Sequence, residues 1–219
     1  MRINPGIARP LGLAAAFVLL AVGGFACTEV KDTIEDADRT LSGALNDDEA
    51  PELQGLEGEE QTEGLYELGL KLQREGKDAE AVERFRQAAD RGSGPAAYEL
   101  GEAYNDGRGV AKDLNEGAKW INTAAMRDEP RAQYALGAAL YNDAKNEQDY
   151  VRAVGYLEDA AQQGHADAQY LLGECYANGR GVTKNLSWAA RWYGKAAHQG
   201  QPDGAFSYGV VMAAGLGLP

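Results

Sequence analysis

Pairs of adjacent alanines stand at Ala88-Ala89, Ala124-Ala125, Ala160-Ala161 and Ala196-Ala197, at a constant step of 36 residues. A fixed step of this size marks a supersecondary unit that cannot bury its apolar face alone and is repeated so that neighbours bury it. A second marker keeps the step: Leu100-Gly101, Leu136-Gly137 and Leu172-Gly173, with Leu68-Gly69 32 residues before the first and Tyr208-Gly209 36 residues after the last. Full units therefore fall at 94–128, 129–164 and 165–200, with a shorter unit at 62–93 and a half unit at 201–219.

Each unit reads as two helices. The first carries Ala96-x-Tyr98-x-Leu100-Gly101, Ala132-x-Tyr134-x-Leu136-Gly137 and Ala168-x-Tyr170-x-Leu172-Gly173. Apolar spacings of three and four place one stripe against the core. Glycine inside a helix costs about 1 kcal/mol relative to alanine, so its return in every unit predicts a close helix–helix approach, with the alanine pairs serving that contact from the second helix. Trp120, Tyr156 and Trp192 recur one turn before the alanine pairs and are read as core. The fold class predicted is all-α, an α/α superhelical solenoid of about 4.5 helix-turn-helix units.

The loops between paired helices repeat as Gly107-x-Gly109-Val110, Gly179-x-Gly181-Val182 and Gly215-x-Gly217-Leu218. Glycines there are expected to end the first helix with positive φ. Asp113, Asp149 and Asn185 follow in register as amino caps of the second helix, Asp113 with Glu116 in a capping box. The unit at 129–164 departs, with Asp143 and Lys145 in the glycine positions.

The full pattern, helix-Leu-Gly-x-x-Tyr-x-x-Gly-x-Gly-Val-loop-Trp-x-x-x-Ala-Ala, resembles the Sel1-like repeat family, α/α solenoids related to tetratricopeptide repeats. Leu100, Gly101, Tyr104, Gly107, Gly109, Val110, Trp120, Ala124 and Ala125 carry the likeness, and Leu172, Gly173, Tyr176, Gly179, Gly181, Val182, Trp192, Ala196 and Ala197 repeat it. The first unit, with Leu68, Gly69, Phe85, Ala88 and Ala89, is nearer a tetratricopeptide repeat and is expected to cap the stack. The resemblance implies an adaptor that gathers protein partners on its concave face.

Upstream of the repeats, Arg2 and Arg9 precede an apolar run at Leu11–Ala26, too short for a membrane span of about 20 residues and suited to a signal peptide over 1–26. Cys27 follows directly, and Gly24-Phe25-Ala26-Cys27 resembles a lipobox, although Gly24 stands where leucine is usual and Phe25 where a small residue is usual. Lipidation of Cys27, with the protein tethered to a membrane in the periplasm or outer membrane of a bacterial envelope, is the expectation. A soluble periplasmic or secreted form and a retained anchor are the alternatives. Residues 27–61 are read as an acidic, disordered tether: 12 acids face only Lys31 and Arg39 over Thr28 to Gln61. About −5 remains for residues 62–219, a balance that argues against nucleic acid as a partner, because binding it needs a basic face to release counterions.

Candidate chemistry is sparse. Cys175 shares its column with Ala103, Ala139 and Val211 and is read as core; His165 and His198 lie in different columns, are read as loop residues and make no zinc site. No catalytic, cofactor-binding or metal motif is found, so no cofactor is expected. The candidate partner-binding residues are Glu67, Glu99, Glu102 and Glu174, which make an acidic concave groove for a protein or peptide of basic character, with Tyr141 and Leu171 as apolar anchors. Val210, Met212, Leu216 and Leu218 mark an apolar carboxyl end, which either caps the third full unit or docks onto another copy or a partner. Two rival functions stand beside the scaffold. One is a self-assembling structural spacer. The other is an enzyme like the secreted, cysteine-rich members of this repeat family linked to β-lactam hydrolysis, against which the single cysteine of the repeat region argues.

Overall fold

The computed structural model describes Leu53 and residues 58–215. The signal segment, Cys27 and most of the acidic tether lie outside the described residues, as do Leu216 and Leu218. Every helix named below belongs to the unit Gly55–Pro219.

Those helices are α1 Gly58–Arg74, α2 Asp78–Asp90, α3 Gly94–Asp106, α4 Leu114–Met126, α5 Pro130–Asn142, α6 Glu147–Gln162, α7 Ala166–Asn178, α8 Leu186–His198 and α9 Pro202–Ala213. Each odd-numbered helix packs on the one that follows, and each pair packs on the next, so the architecture is the expected all-α solenoid. First helices also approach one another across units, α5 with α7 and α7 with α9, which places them on the inner side of the stack. Among the described residues no helix is long and apolar enough to cross a membrane. The repeat domain starts earlier than expected: residues 58–61, assigned from sequence to the tether, form the first turn of α1. Glu59 and Glu60 sit in that turn, where the partial positive charge of the helix amino end favours them.

The core explains the glycine column. A Cβ placed on Gly69, Gly101, Gly137 or Gly173 would come within 2.5, 2.8, 2.9 and 2.6 Å of Phe85, Ile121, Leu157 and Tyr193 respectively. These four side chains keep the 36-residue step and are all buried. The glycines thus receive a large side chain of the second helix, where alanine pairs had been expected to meet them. Likewise the main core column is not Trp120, Tyr156 and Trp192 but the residue after each. Trp120 and Tyr156 are only half-buried, while Trp192 is buried. The alanines close a different joint. The carbonyls of Ala88, Ala124, Ala160 and Ala196 accept the backbone N–H of Ser93, Glu129, His165 and Gln201 at 3.0, 3.1, 3.0 and 3.1 Å, so they turn the chain into the next unit.

Two loops follow the sequence reading. Gly107 and Gly179 cap α3 and α7 with φ of 76° and 73°. Two residues on, Gly109 and Gly181 again have positive φ, and a Cβ there would run into the backbone of Asp78 or of Tyr150 at the start of the preceding unit's second helix. The middle unit differs. Asp143 caps α5 with φ −93°, and α6 begins sooner and reaches 16 residues against 13 for α4 and α8. Its amino cap is consequently Asn146, which accepts from the Asp149 N–H at 3.2 Å, and not Asp149 as expected. Asp113 and Asn185 are caps as expected. The capping box at Asp113 is half formed: its carboxylate accepts from Asn115 and Glu116, but Glu116 pairs with Lys119 and the Asp113 N–H donates to Tyr104.

Candidate inner-face binding site

The first helices carry an aromatic residue at one equivalent position in every unit: Tyr66, Tyr98, Tyr134, Tyr170 and Phe206. Successive rings are clamped by neighbouring elements. Tyr66 tilts against Phe85 at 6.1 Å, Tyr98 lies under the Arg131 guanidinium at 4.4 Å, Tyr134 stacks on His165 at 4.6 Å, and Tyr170 approaches Tyr193 at 6.0 Å. The four tyrosines are half-buried, and burial raises their phenol pKa values, so at neutral pH they stay protonated and available as donors. Rigid amphipathic rings of this kind lose little rotamer freedom when a partner covers them.

Around this column the four carboxylates read from sequence have different fates. Glu67 is exposed. Glu99, its side chain 13% exposed, accepts from Arg131 at 2.6 Å. The same guanidinium donates to the buried Glu129 at 2.6 Å, and its charge acts on the Tyr66 phenol of the first unit, so it links the first three units. Burial opposes the charge on Arg131, but hydrogen bonds to Glu129 and Glu99 outweigh it and hold its pKa above the ordinary value. Glu102 accepts from Asn105 at 3.3 Å. Glu174 accepts from Asn178 and from the Tyr193 hydroxyl. The inner face is therefore a mixed surface of rings and largely engaged carboxylates, with one internal cation, and Glu67 is its most available acid. Tyr141 and Leu171 are partly buried against the core cluster of Leu157, Leu172 and Cys175, and the Tyr141 hydroxyl accepts from Arg180 at 2.5 Å. Sequence reading missed Arg131 and Glu129, whose signal was Glu129 standing in register with Ser93, His165 and Gln201, the caps of the first helices.

Three consecutive matches to the Sel1 repeat model cover residues 94–129, 130–165 and 166–201. The repeat region belongs to the Sel1-like repeat family. Among solved structures, a Sel1 repeat protein from Oxalobacter formigenes is similar with a TM-score of 0.61 and 25% identity, over 72% of this chain and 67% of that one. A protective antigen of uropathogenic Escherichia coli displaying the same fold is similar with a TM-score of 0.61 and 34% identity over 74% of this chain, which spans 35% of that longer one. No match is found among curated protein sequences. The Sel1-like scaffold is suited to protein–protein interaction.

The remaining candidates fall into place on this Sel1-like frame. Cys175 is buried in the core, and burial pushes its thiol up to about 12, so it is a packing residue with little thiolate at neutral pH. His165 is half-buried: its Nδ1 accepts from the Ala168 N–H at 3.3 Å, which makes it the amino cap of α7 and not a loop residue. Among the described residues no group of histidine, cysteine and acidic side chains is arranged to hold a metal ion. At the carboxyl end Val210 and Met212 are 52% and 40% exposed, and Phe206, passed over in the sequence, is 75% exposed.

Proposed function

We propose that this protein is a non-catalytic, exported scaffold that holds a protein or peptide partner in the bacterial cell envelope through its inner face. The observation that carries this reading is the aromatic column of the first helices, flanked by carboxylates, because interface energy concentrates in a few rigid aromatic anchors surrounded by polar groups. The exposed Glu67 and the adjoining Glu102 give the partner's contacting segment a basic character. Export and a lipid anchor at Cys27 belong to the same proposal and rest on the apolar run and the lipobox-like segment.

Affinity capture from crosslinked cell envelopes tests it. The wild type is expected to retain a partner that a Glu67→Lys, Glu102→Lys variant loses, with unchanged helicity. Glu99 and Glu174 are left intact because they hold Arg131 and Tyr193. Equal recovery with both proteins, or recovery of nothing but the protein itself, contradicts the reading. Self-association is the second reading, favoured by Phe206 and Val210 one turn apart on the open side of α9. It predicts a dimer mass in light scattering that Phe206→Glu and Val210→Glu abolish.

A further inference from the structure

A second surface, of opposite sign, lies on α8 and its preceding loop. Trp188, Arg191 and Lys195 are spaced three and four residues apart, which places them on one side of the helix, and Lys184 stands in the loop just before its amino cap. All four are exposed, Trp188 by 45%. From Leu186 to His198 the helix contains no acid. The internal repeats supply a control. The equivalent positions of α4 are Lys112, Glu116, Lys119 and Thr123, with Lys119 paired to Glu116; those of α6 are Gln148, Arg152, Gly155 and Asp159. Signs cancel or alternate on those helices, and only on α8 do three cations and an indole stand together. Among the described residues, Lys184, Arg191 and Lys195 make no ion pair.

The stripe is also preorganised. The Trp188 ring stacks on Tyr176 at 6.2 Å with an interplanar angle of 28°, and the Arg191 guanidinium sits 5.0 Å from its centre. Lys195 lies 3.9 Å from the centre of the Trp192 ring, so its ammonium is likewise held against the helix. Tyr176 donates to Glu158 at 3.2 Å, which both fixes the supporting ring and engages the nearby carboxylate. What results is a fixed aromatic plate edged by unpaired positive charge, about 10 Å long from Trp188 to Lys195 at 1.5 Å per residue.

We propose that this stripe is a docking surface for an acidic peptide segment of a partner protein, whose carboxylates meet Lys184, Arg191 and Lys195 and whose single apolar side chain covers Trp188. Charge complementarity and the one-ring anchor favour a peptide over an anionic membrane, because lipid surfaces are recognised by clusters of about four to eight cations with more inserted apolar area. The site is separate from the inner face and does not depend on the function proposed for it.

The test is fluorescence anisotropy of a fluorescein-labelled Glu-Asp-Glu-Phe-Asp-Glu peptide with the full chain. The same protein is also mixed with vesicles of phosphatidylglycerol and phosphatidylcholine in cosedimentation. Binding is expected to weaken about tenfold in Trp188→Ala and at least about tenfold in Arg191→Glu, Lys195→Glu, to fall with added salt, and to be unchanged in Lys119→Glu on α4. Matching helicity in all variants shows that the scaffold is intact. Absence of peptide binding, equal loss in the α4 variant, or binding to vesicles with none to the peptide overturns the proposal.

Discussion

The unit at 129–164 and its two neighbours solve the same packing problem with different loops. In the neighbours, Gly109 and Gly181 turn with positive φ and press backbone against the preceding unit, a fit that leaves no room for a Cβ. The middle unit has no glycine there, ends α5 at Asp143 in an ordinary conformation, and takes up the chain by extending α6 to 16 residues. Yet Gly137 meets Leu157 as Gly101 meets Ile121 and Gly173 meets Tyr193. The difference shows that the intra-unit glycine contact defines the repeat, while the loop is one of at least two ways to connect it.

The largest effect is expected inside that contact. Gly173→Leu forces a branched side chain onto the Tyr193 ring and should cost about 3 kcal/mol or more in urea denaturation, since overpacked cores typically lose 1–3. The loops come next and should separate. Gly181→Ala puts a side chain at φ of 69° against the Tyr150 carbonyl and is expected to cost about 2 kcal/mol, whereas Asp143→Ala in the middle loop should stay within about 0.5. Equal losses at Gly181 and Asp143 would mean that the two kinds of loop carry the same constraint.

The smallest effect is a pH dependence at the start of α7. Burial pushes the His165 imidazole below its usual value, and its Nδ1 must be unprotonated to accept from Ala168. The unfolded chain therefore binds the proton more readily, so stability should fall as pH drops below about 6.5 towards the depressed native value. His165→Ser, which copies the Ser93 cap of α3, is expected to remove that slope while keeping the cap. Urea midpoints measured from pH 7.5 down to 5 for both proteins decide it.

Features set by chain-local chemistry were legible in the sequence: the period, the glycine stripe, the caps at Asp113 and Asn185, and the positive φ at Gly107 and Gly179. What periodicity alone misassigned was the side chain that fills the space over each glycine. Trp120 and Ile121 are adjacent and both apolar, and only the rotation of α4 against α3 decides which turns inward. The candidate site was harder still. Glu99 looked like a free acid of the groove, but it is bound by a residue 32 positions away, and Arg131 gathers Glu129, Glu99 and Tyr66 from three units. Such a node depends on how units stack, information that no single repeat contains.

Site-specific photocrosslinking reads which face of the stack meets a partner, with a benzophenone side chain placed at Glu67 or Phe206 on the first helices and at Lys119 on α4. In native envelopes the inner-face positions are expected to yield an adduct with a different protein, and Lys119 none. Adducts of equal yield from all three positions, or none from Glu67 and Phe206, would contradict an inner-face scaffold.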